Sequence, residues 1–280
     1  MSAASPQLLE QVAGIARQAA AEILDVYASG DAGATLKGDD SPLTLADLRA
    51  HRLIAASLAR LTPDIPMLSE EAADIPYAQR ADWRRYWLVD PLDGTKEFLS
   101  RNGQFTVNIA LIEDHIPALG VVHVPVTDTS YQGLIGRGAW CQRAGIAPAP
   151  IRVSTASASP VRVVGSRSHR GDSLDAFLAR LGPHEMVPMG SSLKFCMVAE
   201  GSADVYPRLG PTSEWDTAAA HAVVSAAGGR VRTLEGTPLR YNTHEGILNP
   251  FFLVSGPEDR DWLALLGATF DDLRNSKAAL

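Results

Sequence analysis

Near the N-terminus, apolar residues recur at steps of three and four: Leu8, Val12, Ile15, Ala19, Ile23 and Tyr27. That period puts them on one face of a helix. Ser5 and Pro6 suit its start, a capping serine with proline in the first turn, and Gly30 and Gly33 end it. A polar stretch from Lys37 to Pro42 follows. Leu48, Leu53, Ile54 and Leu58 then mark a second helix, beginning near Leu45 and closed by Thr62-Pro63. Four later runs, Tyr86 to Val89, Phe105 to Ile112, Leu119 to Val124 and Ser130 to Ile135, read as strands. Short turns such as Glu113-Asp114-His115 favour antiparallel pairing. The first half is therefore expected to lay two helices on an antiparallel or mixed sheet.

Two stretches rich in Ala, Pro and Ser, Gly145 to Pro150 and Ser154 to Pro160, are the expected connection between an N-terminal part, 1–155, and a C-terminal part, 156–280. Beyond them helices and strands alternate. Val161–Val164, Ala203–Tyr206, Arg230–Arg232 and Phe251–Val254 read as strands. Leu174–Leu181, Lys194–Ala199 and Thr217–Ala227 read as helical, the last stopped by Gly228-Gly229. Alternation of this kind predicts a layered α/β half.

Composition narrows the classes of function. A chain of 280 residues with 46% hydrophobic and 20% charged residues has ample material for a core. Its net charge of −7 argues against broad nucleic-acid binding, which needs a basic surface. Cys141 and Cys196 stand far apart and form no zinc motif. They suit a reducing compartment, although one disulfide between them stays open. No basic and apolar leader and no membrane-length apolar segment is visible, so a cytoplasmic protein is expected.

The densest chemistry lies at Asp90-Pro91-Leu92-Asp93-Gly94-Thr95, after the apolar run, where a strand is expected to end and a turn to begin. Magnesium takes oxygen ligands and keeps part of its shell for water and phosphate. Asp90, Asp93 and the Leu92 carbonyl could supply such oxygens from one turn. Gly94 lets a ligand approach the backbone, and a helix starting here would offer free amides at Gly94 and Thr95 to an anion. The bland alternative is that Asp93 caps a helix and Asp90 merely ends a strand. Three further acidic islands weigh against it: Ser69-Glu70-Glu71, Asp47 at the start of the second helix, and Glu214-Trp215-Asp216. Each has its own alternative: a solvated loop, a helix-dipole partner and an N-cap respectively.

Together these segments resemble a known family. Leu68-Ser69-Glu70-Glu71, Trp87 through Phe98 and Trp215-Asp216-Thr217-Ala218-Ala219 are similar to the signatures of the inositol monophosphatase superfamily of lithium-sensitive, magnesium-dependent phosphatases. Lys96-Glu97-Phe98, Gly190 through Cys196 and Leu248-Asn249-Pro250 resemble its CysQ-type 3′(2′),5′-bisphosphate nucleotidases. The resemblance implies a layered αβαβα sandwich and two or three magnesium ions. Glu70, Asp90 and the Leu92 carbonyl would hold one ion, and Asp90, Asp93 and Asp216 a second. Asp47 and Thr95 would polarise the attacking water, with Glu70 orienting it. Gly94 and Thr95 would meet the scissile phosphate. Ser166, His169, Ser191 and Lys194 would contact a phosphorylated nucleotide.

The implied reaction removes the 3′-phosphate of 3′-phosphoadenosine 5′-phosphate, giving AMP and phosphate, by in-line attack of water without a covalent phospho-enzyme. A role in sulfur metabolism goes with it; a homodimer and a peripheral seat at the inner face of the membrane are compatible with it. The rival from the same superfamily is an inositol-phosphate or sugar-phosphate phosphatase. The rival from another class is a non-catalytic magnesium or nucleotide sensor, against which Asp47 and Thr95 argue. No P-loop motif is present. Away from these sites, His221 reads as a packing histidine, and Arg208 as a surface residue or a phosphate contact.

Overall fold

The computed structural model describes residues 4–30, 32–36, 42–165, 172–256 and 258–266. Helices α1 (Pro6–Ser29) and α2 (Leu45–Leu61) form where the periodicity puts them. Ser5 caps α1, its Oγ accepting from Leu8 N at 3.1 Å, and Gly30 closes it at φ +77°. Between the two helices, β1 (Thr35–Leu36) and β2 (Pro42–Leu43) pair antiparallel.

A seven-stranded sheet follows in simple chain order: β3 (Met67–Ser69), β4 (Arg85–Asp93), β5 (Thr106–Glu113), β6 (Ile116–Val124), β7 (Thr129–Leu134), β8 (Gly138–Gln142) and β9 (Ala149–Ile151). Short helices α3 (Tyr77–Arg80) and α4 (Thr95–Leu99) flank β4. β3 runs parallel to β4 and the remaining pairs are antiparallel, so the sheet is mixed. Ala149 and Pro150, expected to be connection, instead form its edge strand with Ile151, because their backbone pairs with β8.

The second sheet has the order β11-β10-β12-β14-β13. Its strands are β10 (Val161–Gly165), β11 (His184–Pro188), β12 (Val205–Arg208), β13 (Arg230–Thr233) and β14 (Phe252–Ser255), with α5 (Asp172–Leu181), α6 (Leu193–Ala199) and α7 (Ala218–Ala226) between them.

Strand periodicity sorts side chains to two faces. Trp87, Val89, Ile109 and Leu111 pack under α1 and α2, while Tyr86, Leu88, Ala110 and Ile112 join a core with α6 and α7. Val164, Tyr206, Phe252 and Val254 of the second sheet close that core from the other side. Val161, Val163, Val205 and Leu253 face Phe177 and Leu178 of α5. The result is a layered αβαβα sandwich. Cys141 and Cys196 are both buried free thiols within it, which settles the open question of a disulfide. No helix among the described residues is long and apolar enough to cross a membrane.

The central layer depends on two glycines. Gly120 of β6 and Gly133 of β7 are cross-strand partners, and α7 lies directly over them. A Cβ at Gly120 would stand 2.1 Å from Ala219 O, and one at Gly133 would stand 2.6 Å from Val223 Cα. Those are backbone atoms of the helix, so a side chain could fit only by lifting α7. We expect Gly120→Ala to cost about 1–3 kcal/mol or more, read as the urea midpoint, and to lower activity because α7 follows Asp216. Gly14→Ala in α1 is the control: its Cβ would meet nothing within 4 Å. It should be neutral or stabilise by up to about 1 kcal/mol. Equal effects of the two substitutions would refute the seam.

Candidate active site

Residues three apart on a regular strand point to opposite faces. Asp90 and Asp93 do not, because β4 is irregular between them. Asp90 pairs with Asn108 and Asp93 with Thr106, so three steps along β4 match two along β5. This is a β-bulge, and Pro91, which needs no ladder partner, sits inside it. The strand thus continues through Asp93 instead of ending before Asp90, and the extra residue brings both carboxylates toward one cleft. Neither acid caps α4. Gly94 does, at φ +96°, where a Cβ would also crowd Gln104 O at 3.3 Å. Phe98 of α4 packs on Tyr27 and Phe105, with ring centroids 5.2 and 5.3 Å away, and so anchors the turn to α1 and β5.

Parallel pairing of Ser69 with Val89 sets the next residues, Glu70 and Asp90, beside one another. The Asp90 carboxyl lies within hydrogen-bonding reach of Glu70, while its Oδ1 accepts from Leu92 N at 3.0 Å. Burial, then the charges of Glu70, Asp93 and Asp216, push the Asp90 carboxyl well above the usual carboxylate range.

Asp216 approaches from the second half of the chain. It is not an N-cap; Thr217 holds that position on α7. Its Oδ2 accepts from Thr212 Oγ at 2.7 Å and Ser213 N at 2.9 Å. Burial and the nearby Asp93 push it up to about 7. The preceding segment is fixed by buried groups. Glu214 accepts from Asn242 N at 2.8 Å, and Asn249 Nδ2 donates to the Ser213 carbonyl at 2.7 Å.

Asp47 is buried and closes a capping box: its Oδ2 accepts from Thr44 N at 2.7 Å and Thr44 Oγ at 2.6 Å. Its alternative reading as a helix-start acid is therefore satisfied, alongside whatever else it does. Thr95 Oγ has only a long contact with the Leu92 carbonyl, 3.5 Å. Ser191 takes φ +46°, and its carbonyl accepts from Lys194 Nζ at 2.6 Å. Lys194 is buried, with Nζ 5.6 Å from the Tyr206 ring centroid, and burial lowers its pKa to about 8 while Asp93 opposes the shift. Ser166 and His169 lie outside the described residues. His221 is the buried packing histidine expected, with Nδ1 3.0 Å from Tyr241 OH. Arg208 donates to the Pro211 carbonyl and buries an Nε for which no partner is described.

Ser192 and Asn108 escaped the sequence reading. Ser192 N and Oγ reach Asp93 Oδ2 at 2.5 and 2.7 Å, and Asn108 Nδ2 reaches the same oxygen at 3.3 Å. The neighbouring Ser191 was a signal for this segment, but only the bulge register discloses Asn108.

The acids range around one cleft without converging. Among the described residues, no set of three or more His, Cys, Asp or Glu side chains is already drawn together to hold a metal ion. Yet the donor set suits a hard cation. Every described side-chain hydrogen bond of Asp93 and of Asp216 falls on Oδ2, which orients each carboxylate and leaves Oδ1 for another partner. Carboxylate and carbonyl oxygens in this arrangement match magnesium chemistry.

Comparison with known proteins identifies the family. The profile described as "Inositol monophosphatase family" matches residues 6–272. The 3′(2′),5′-bisphosphate nucleotidase CysQ of Salmonella typhimurium is 51% identical over 89% of this chain and 99% of its own length. The protein of the same name from Escherichia coli K12 is 50% identical over the same shares. The crystal structure of CysQ from Bacteroides thetaiotaomicron, described as a bacterial member of the inositol monophosphatase family, superposes with a TM-score of 0.79. It is 40% identical over 89% of this chain and 97% of that one. A match spanning nearly the whole chain, with these relatives beside it, shows that this protein belongs to the inositol monophosphatase family.

Proposed function

We propose that this enzyme is a magnesium-dependent 3′(2′),5′-bisphosphate nucleotidase that converts 3′-phosphoadenosine 5′-phosphate to AMP and phosphate. One observation carries the metal dependence: half-buried carboxylates surround the buried Asp90, while Asp93 and Asp216 each keep a side-chain oxygen without a described donor. Such crowding leaves a local excess of negative charge that a divalent cation would offset. Glu70, Asp90 and the Leu92 carbonyl would hold one ion, and Asp90, Asp93 and Asp216 another. Bound there, magnesium would supply Lewis-acid charge to the phosphate and make water a better nucleophile.

The chain's own groups then have definable tasks. Thr95 Oγ, held only by its long contact with the Leu92 carbonyl, can turn to take up a proton and pass it toward Asp47. The capping box keeps the Asp47 carboxylate in one orientation for that purpose. Glu70 orients the attacking water. The amides of Gly94 and Thr95 contact the scissile phosphate; α4 is a single short turn, so this contact rests on local N–H groups more than on a helix dipole. By the family resemblance, Ser191, Lys194, Ser166 and His169 would contact the nucleotide, the last two lying outside the described residues. The buried Nε of Arg208 adds a donor fit for a phosphate. The substrate class itself is supported by the activity named for the CysQ relatives at 51% and 50% identity.

The decisive assay measures phosphate release with magnesium from 3′-phosphoadenosine 5′-phosphate, inositol 1-phosphate and fructose 1,6-bisphosphate side by side. Clear preference for the adenosine bisphosphate is expected. Preference for either of the others would make this a sugar-type phosphatase, and no turnover of any would favour a sensor.

Asp90→Asn should lower turnover by about a hundred- to a thousandfold, the scale of losing charge stabilisation at the transition state. The variant should fold, and without metal it should melt higher at pH 8, because ionised Asp90 is destabilising inside the cleft. Residual activity within tenfold of the parent would contradict the assignment.

Magnesium should in turn stabilise the parent protein, by about 2.7 kcal/mol at a hundredfold excess over its Kd. A folded-state pKa raised from 3.8 to about 7 keeps a proton on Asp216 well above the unfolded range. Protons therefore compete with metal below that value. The magnesium-induced rise in Tm should be full at pH 8 and shrink toward pH 5.5. A gain independent of pH would place the ion elsewhere.

A further inference from the structure

Ser192 stands at the junction of three segments that meet at the cleft. It is only 2% exposed. Its amide donates to Asp93 Oδ2 at 2.5 Å, and its hydroxyl lies 2.7 Å from the same oxygen and 2.6 Å from the Asp216 carbonyl. A hydroxyl has one proton, so Ser192 Oγ can donate to only one of these acceptors at a time. Its acceptor side is taken by Asn108 Nδ2 at 2.8 Å, and Asn108 in turn is held by Thr106 Oγ at 3.0 Å. The joint therefore links Asp93 on β4, Asn108 on β5 and the backbone of Asp216 ahead of α7.

Two consequences follow from that wiring. With Oδ2 of Asp93 saturated by the Ser192 and Asn108 donors, the carboxylate cannot rotate freely, and Oδ1 is the oxygen left toward the cleft. The same hydroxyl also sets the spacing between a carboxylate from the first half of the chain and one from the second. Ser192 belongs to the loop of Ser191, whose left-handed backbone and Lys194-bound carbonyl bring residue 192 against β4.

We infer that Ser192 is a positioning residue for divalent-cation binding: it selects the Asp93 oxygen offered to the metal and ties Asp93 to Asp216, without touching metal or substrate itself. The inference rests on the metal assignment proposed above and adds a residue to it. Partners of this kind, which orient a ligand's second atom, typically govern affinity by 10–100-fold.

The test is direct titration of the metal-free full-length protein with magnesium by calorimetry, accompanied by magnesium activation curves and by Tm without metal. Ser192→Ala removes one oxygen atom and leaves the backbone amide. It should weaken magnesium binding and raise the magnesium needed for half-maximal activity by about 10–100-fold. Turnover should recover substantially at saturating magnesium, whatever metal-free Tm the loss of a buried, hydrogen-bonded hydroxyl leaves. A purely structural role would lower the metal-free Tm while the folded protein binds magnesium as before, and that result would overturn the inference. Should Ser192→Ala fail to fold, Asn108→Ala, which removes the amide holding both Ser192 Oγ and Asp93 Oδ2, carries the same expectation. Parent protein that binds no magnesium would overturn the metal assignment and this inference together. Parent and Ser192→Ala binding equally tightly would overturn this inference alone.

Discussion

Holding several acids around one cleft is the constraint on which the rest of the fold turns. Two unit charges about 4 Å apart repel by about 4 kcal/mol at an effective dielectric of 20, and burial adds to that cost. Nothing in the acids themselves keeps them together, so the surrounding structure must. Parallel pairing of β3 with β4 fixes Glu70 beside Asp90. The bulge fixes Asp93 relative to Asp90. Thr212 and Ser213 hold Asp216, and Ser192 and Asn108 hold Asp93. The last two devices place hydrogen-bond donors on one oxygen of each carboxylate, which both stabilises the charge and fixes the side chain's direction.

What was legible in the sequence was local. The helical face of α1 and its Ser5 cap follow from period and cap chemistry alone, and the strand runs of the large sheet follow from their branched and aromatic residues. The clustering of acids at element ends was legible as well, and it carried the reaction class through the resemblance. Features that depend on a partner distant in sequence were not. Asp-x-x-Asp carries no sign that a bulge lies inside it, because a bulge is defined by register against Thr106 and Asn108. Ser192 differs from Ser191 in no intrinsic property; what distinguishes it is the φ of +46° at Ser191, which turns residue 192 inward. The burial of Lys194, whose Nζ donates to the Ser191 carbonyl, was equally unsignalled. Ala149 and Pro150 looked like linker because Ala and Pro are poor strand formers, yet an edge strand needs only one side of its backbone paired and tolerates proline.

Gly120 and Gly133 show a different kind of illegibility. A glycine in a strand signals a close approach but not what approaches. Here the approaching element is α7, seated on the sheet by backbone contact. That seat matters chemically because Asp216 lies two residues before the helix. Its distance from Asp90 is set by how deeply α7 settles onto β6 and β7, so the absence of two side chains on the sheet helps define the geometry of two carboxylates near its edge.

The acids consequently cannot be assembled by either half of the chain alone. Asp90 and Asp93 belong to the large sheet, whereas Asp216 arrives between β12 and α7. The core between the sheets contains residues of both, from Tyr86 and Leu88 to Phe252 and Val254. Docking that core buries apolar surface, a favourable contribution, at the same step that brings the carboxylates together at a cost. The two events share one structural coordinate, the seating of α7. A cation bound among the acids would lower the opposing term and so favour the seated state. Metal binding would therefore be linked to closure of the central layer through Asp216, and Ser192 lies where the two halves meet at the cleft.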